Sequence, residues 1–242
     1  MFVAAAFCPH PPLLVPELAA GAAVELDGLR AACDDAVRRL LTAGPQRLYV
    51  LGAGPRAGVH GPSDHGSLAG YGVDVRVRLG PPTRGSADGL PLSVAVGAWL
   101  LGRAGDHPPA VGVQVGPDGA FPVVDGGAAV GSDGAFPVVD GDAPVGLLVM
   151  GDGSARRTES APGYVDPRAV PYDDAVTAAL RSGDPAELRV LDPALGAELL
   201  SAGPTAWRAA GGLLDGGRYD AELLYAGAPY GVGYFVASWI RR

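Results

Sequence analysis

The sequence predicts an α/β fold: a single three-layer domain over residues 1–242, with a mostly parallel central sheet flanked by helices. Three observations point there. Phe2 to Phe7 (F-V-A-A-A-F), Arg47 to Ala53 (R-L-Y-V-L-G-A) and Gly146 to Met150 (G-L-L-V-M) are continuous apolar runs, the pattern of strands covered on both faces. Helical patterns separate and follow them. Hydrophobic residues make up 48% of the chain, ample for a buried core at this length.

The first strand ends in Cys8-Pro9-His10-Pro11-Pro12. Prolines lack the backbone donor and fix φ, so the strand stops there and holds the His10 imidazole stiffly at its carboxyl end. Open α/β sheets usually bind ligands at that edge. Ala23 to Ala43 then reads as an amphipathic helix, with Asp34 and Asp35 four residues before Arg38 and Arg39 and Cys33 on the apolar face. Gly44-Pro45 ends it. After the second strand comes a glycine-rich loop, 54–72, carrying His60, Asp64 and His65. Val73 to Leu79 alternates as an edge strand would, Leu92 to Ala104 is helical, and Val111 to Val115 is a short strand.

Gly116 to Val130 and Gly131 to Val145 are near-copies in register, each carrying D-G-A-F-P-V-V-D-G. Two copies fall short of a solenoid, so the expectation is a duplicated ribbon inserted at the surface, its Asp-Gly turns pairing short strands. The strand at 146–150 delivers Gly151-Asp152-Gly153-Ser154 to the same edge as His10. Further helices are expected at 173–181, 185–191, 193–200 and 204–214, and final strands at 222–225 and 231–240.

Net charge of −8 argues against nucleic acid or an anionic membrane as partner. All 18 basic residues are Arg, which excludes lysine-based chemistry. Two cysteines, Cys8 and Cys33, make no disulfide framework, and the apolar N-terminus lacks the basic region of a signal peptide, so a cytoplasmic setting is expected. Self-association as a homo-oligomer stays open.

Four histidines are available: His10, His60, His65 and His107. His107 reads as loop surface. His60 and His65, with Asp64, share a loop able to reach His10, so a divalent metal such as Fe(II) on His10, His60 and His65 is one candidate site. Gly151 to Ser154 can present backbone N–H groups to an anion, though it lacks the spacing and lysine of a phosphate loop. Ser154 has no nucleophile-elbow pattern around it, and no histidine follows it in the chain.

Three stretches together resemble the B subunit of class III extradiol ring-cleavage dioxygenases and their Memo-like relatives: C-P-H-P-P-L-L at Cys8 to Leu14, G-D-G-S-A-R-R at Gly151 to Arg157, and A-P-Y-G-V-G-Y-F-V-A at Ala228 to Ala237. A-P-G-Y-V-D-P-R at Ala161 to Arg168 accompanies the second. The resemblance implies one α/β domain, and an Fe(II) held by two histidines and a glutamate with a further histidine as acid–base. His10 matches the first metal histidine. The second would follow the second strand, where this chain has Gly52-Ala53-Gly54-Pro55-Arg56; the acid–base histidine falls on Ala155; the glutamate falls among Ala226, Gly227 and Ala228. Three of the four functional positions are therefore lost. The expectation is a dioxygenase-like scaffold that binds a small molecule or a protein partner at a pocket of His10, Pro11, Asp152, Ser154 and Tyr230. The competing expectation is an Fe(II)-dependent oxidoreductase with its ligands relocated to His10, His60 and His65.

Overall fold

The computed structural model describes residues 1–81, 89–121, 123–124, 128–129 and 143–242. Strand β1 (Phe2–Cys8) is followed by the short helix α1 (Pro16–Ala19) and by α2 (Asp27–Thr42). Next come β2 (Arg47–Ala53), β3 (Gly58–His60), β4 (His65–Ser67), β5 (Arg76–Arg78), α3 (Leu92–Ala104) and β6 (Ala110–Val115). Two-residue strands β7 (Val123–Val124) and β8 (Ala128–Ala129) precede β9 (Val145–Met150). Helices α4 (Ala169–Ser182), α5 (Pro185–Arg189), α6 (Pro193–Glu198) and α7 (Pro204–Leu213) lead to the hairpin of β10 (Tyr219–Gly227) and β11 (Tyr234–Arg241).

Seven strands form one sheet in the order β10-β11-β1-β9-β2-β6-β3. The three apolar runs of the sequence and its short strand at 111–115 are the centre, β1, β9, β2 and β6, paired in parallel. Outside them the pairing reverses: β11 runs antiparallel to both β1 and β10, and β3 antiparallel to β6. The sheet is therefore mixed rather than mostly parallel. A short turn through Pro229–Gly231 joins β10 to β11, and so short a link can connect only antiparallel neighbours.

Side-chain alternation along β1 sorts the core. Ala5 and Phe7 face a cluster that includes Tyr172, Leu188 and Trp207 of α4, α5 and α7. Ala4, Ala6 and Cys8 face another with Leu29, Cys33 and Val37 of α2 and Val94 and Leu101 of α3. Strand β1 is thus buried from both sides, which is why its apolar residues do not alternate with polar ones.

Three local expectations are corrected. The helix expected from Ala23 opens as a 3-10 run, Ala20–Leu26, and becomes α only at Asp27. The stretch expected as a sheet edge at 73–79 instead supplies β5, which pairs with β4 in a separate two-stranded ribbon. His60, expected in a loop, sits in β3 at the edge of the main sheet. The duplicated ribbon at 116–145 falls mostly outside the described residues; the β7–β8 pairing is what is seen of it. Among the described residues no helix is long and apolar enough to cross a membrane.

Candidate functional site

Cys8 and Met150 are register partners at the carboxyl ends of β1 and β9, and Gly151 N donates to Cys8 O at 3.0 Å. Two residues further along each chain stand His10 and Asp152. Pro9, Pro11 and Pro12 have no N–H, so His10 supplies the one backbone donor in this stretch, and it goes to Asp152 Oδ1 at 2.8 Å. The imidazole lies beside the same oxygen, with Nδ1 3.7 Å away, too far for a hydrogen bond. His10 is 9% exposed and its Nδ1 is buried without a hydrogen-bond partner. The sequence expectation that His10 and Asp152 meet at one sheet edge holds.

Asp152 is held from behind. Its carbonyl accepts from Gly203 N at 2.9 Å and from Ser201 Oγ at 2.8 Å, both in the α6–α7 connection. Gly153 N donates to Gly233 O and Gly233 N to Ser154 O, which ties the Gly-Asp-Gly-Ser turn to the start of β11. Ser154, expected to line the pocket, is instead fully buried. Its hydroxyl donates to Leu199 O at 3.0 Å and accepts from Arg156 N at 3.1 Å, so it braces the turn.

Asp173 of α4 is the residue that reading the sequence for sites misses. It is completely buried; Oδ1 accepts from Ser154 N at 2.9 Å and Oδ2 from Arg157 Nη1 at 3.0 Å. Burial pushes its carboxyl pKa up, against the lowering effect of the Ser154 amide and the Arg157 guanidinium. The carboxylate occupies space left by two glycines: a Cβ on Gly153 would lie 2.7 Å from Oδ1, and one on Gly233 2.3 Å from Oδ2. A signal was present. Asp173 falls at the inward helical position between Ala169 and Val176, where an acid is out of place.

Tyr230 stands at the rim, 37% exposed, with φ of 60° in the left-handed region that a side chain rarely adopts. Its hydroxyl donates to Glu25 Oε2 at 2.7 Å, linking the β10–β11 turn to the 3-10 run after β1. Tyr234, at the start of β11, is buried; burial raises its phenol pKa, and the Asp152 carboxylate adds to the effect.

The residues do not fit the iron centre that the resemblance implies. Within the stretch after β2 where the resemblance puts a second histidine, Gly52 to Arg56, a Cβ on Gly54 would lie 1.5 Å from Gln114 Nε2, so the Gln114 amide fills the space beside Gly54. The relocated set does not converge either: among the described residues no three His, Cys, Asp or Glu side chains come together as metal ligands. His60 in β3 is half-buried, with its pKa lowered by burial against the opposing charge of Asp64. His65 lies in the β4–β5 ribbon opposite Arg78. What remains at the strand ends is an imidazole, a carboxylate and tyrosine hydroxyls, able to exchange hydrogen bonds or a proton with a polar molecule.

No family model matches the chain, and no curated protein matches it. Among solved structures, the chain is similar to the uncharacterized protein JW3007 from Escherichia coli K12, with a TM-score of 0.54 and 16% identity over 98% of this chain and 99% of that one. At that identity the likeness shows a shared fold.

Proposed function

We propose that the chain is a divergent relative of the B subunit of class III extradiol dioxygenases and their Memo-like kin, a single three-layer domain whose strand-end site binds a small polar molecule without supporting ring cleavage. The observation that carries the reading is the His10–Asp152 pair: the proline-clamped histidine survives beside an anchored carboxylate, while the places of the other iron ligands hold Gly, Ala and the Gln114 amide. Ring cleavage needs Fe(II) with open positions for catechol and oxygen, and a base for the catechol hydroxyl. One imidazole cannot replace three iron ligands and also serve as the base. The recessed position of both side chains favours a small molecule over a protein surface as the occupant. The Fe(II)-oxidoreductase alternative on His10, His60 and His65 has no converging ligand set among the described residues to support it.

The test is oxygen consumption by the purified protein, supplied with Fe(II), across a panel of catechols. The reading expects no uptake above a His10→Ala control. Catechol-dependent uptake that His10→Ala abolishes would overturn it.

A further inference from the structure

The β4–β5 ribbon and the outer side of α3 enclose a cleft of about 460 Å³ lined by Arg76, Val77, Arg78, Trp99 and Arg103. Its chemistry follows from strand alternation. Val77 is 4% exposed, Arg76 and Arg78 on either side of it are exposed, and both arginines line the cleft. Across the cleft the Arg103 guanidinium sits over the Trp99 ring, 5.0 Å from its centroid. Asp34 of α2 holds that guanidinium by two contacts, 2.9 Å to Nε and 2.6 Å to Nη2. Arg103 is therefore paired with a carboxylate, and beside Trp99 it forms part of the cleft wall rather than a free charge. Arg76 has Asp74 3.6 Å away and 82% exposed, a contact that solvent largely screens. In a chain of net charge −8, this places two cationic forks in one cleft with an indole ring.

We propose that this cleft is a second binding site, separate from the strand-end site, for a small anion carrying an aromatic ring, of the nucleoside phosphate class. The ring lies against the Trp99 indole in the cleft wall. The phosphate takes charge-assisted hydrogen bonds from Arg76 and Arg78, whose fork geometry suits its oxygens. A long anionic polymer is disfavoured by the overall negative charge, whereas a mononucleotide feels chiefly the local arginines.

The protein reports on this site directly. Trp207 and Trp239 are 1% and 0% exposed, so a ligand at the surface quenches Trp99 and not the other two indoles. The experiment titrates adenosine monophosphate, adenosine and inorganic phosphate separately against the full chain, followed by tryptophan fluorescence and calorimetry. Saturable binding of the monophosphate is expected, with adenosine and phosphate each at least about tenfold weaker. An Arg76→Gln/Arg78→Gln variant should bind the monophosphate at least about tenfold more weakly with an unchanged melting temperature. Binding to wild type should weaken as salt rises, and His10→Ala should bind normally. Absence of saturable binding, equal affinity for phosphate or adenosine alone, insensitivity to salt or to the double substitution, or loss of binding in His10→Ala would each overturn the proposal.

Discussion

At the scale of single residues, the site is built on satisfying donors that proline and glycine leave behind. Asp152 is the clearest case, since its carboxylate takes the one N–H of the Pro-His-Pro-Pro run. Removing it strands a buried donor, so Asp152→Ala should lower unfolding free energy by about 1–3 kcal/mol. Asp152→Asn, whose amide oxygen still accepts, should lose less; equilibrium urea unfolding measures both. Asp173 gives a pH signature. Burial raises its folded pKa above the ordinary 3.8, so the folded state binds its proton more tightly than the unfolded chain does. The cost of burying the ionised form is full above the folded pKa and vanishes as pH falls below the unfolded one. Thermal melts of wild type and Asp173→Asn should therefore diverge in favour of wild type between about pH 7 and about pH 4. A difference independent of pH would show that Asp173 titrates normally. His10 and Asp152 were legible because each ends an apolar run at a punctuated turn. Asp173 was marked only by its inward place on a helix face, and its role was not legible, because Ser154 and Arg157 are 19 and 16 residues away in sequence and meet it only through the fold.

Elements show the same division between local and tertiary information. The limits of α3 and the four central strands follow from apolar runs bounded by Gly and Pro, and the structure has them nearly where the sequence puts them. The direction of β11, the departure of β5 into its own ribbon and the edge position of β3 depend on which neighbour offers free backbone groups, which no local pattern encodes. Asp34 illustrates the limit for charge pairs. It stands four residues before Arg38, yet it pairs with Arg103 of α3, while Asp35 takes both Arg38 and Arg39. The α3–sheet contact also shows why a helix interior carries a glycine. A Cβ on Gly97 would lie 2.4 Å from Val50 Cγ1 and 3.3 Å from Met150 Sδ, both side chains being fully buried. Alanine would gain about 1 kcal/mol in helix propensity. It would also overpack the core by about 1–3 kcal/mol. Val50 sits in a central strand with no room to withdraw, so overpacking wins and Gly97→Ala should lower the melting temperature. A raised melting temperature would mean that α3 can lift from the sheet at little cost.

For the whole molecule, the sheet order explains why the ends of the chain and its middle share one site. Strand β1 lies between β11 and β9, so the Pro-His-Pro turn, the Gly-Asp-Gly-Ser turn and the Pro229–Gly231 turn all leave neighbouring strands. The three motifs that carried the family resemblance are thus brought together by topology, while the positions that would complete an iron centre are filled or empty of donors. Under the proposed function, the strand-end site keeps its histidine and holds no stable Fe(II). Anaerobic Fe(II) titration of wild type, His10→Ala and a His60→Ala/His65→Ala variant tests it most directly. The account predicts weak, sub-stoichiometric binding in wild type that dialysis removes and the double substitution leaves unchanged. Tight one-to-one binding, abolished by His10→Ala or by the double substitution, would contradict it.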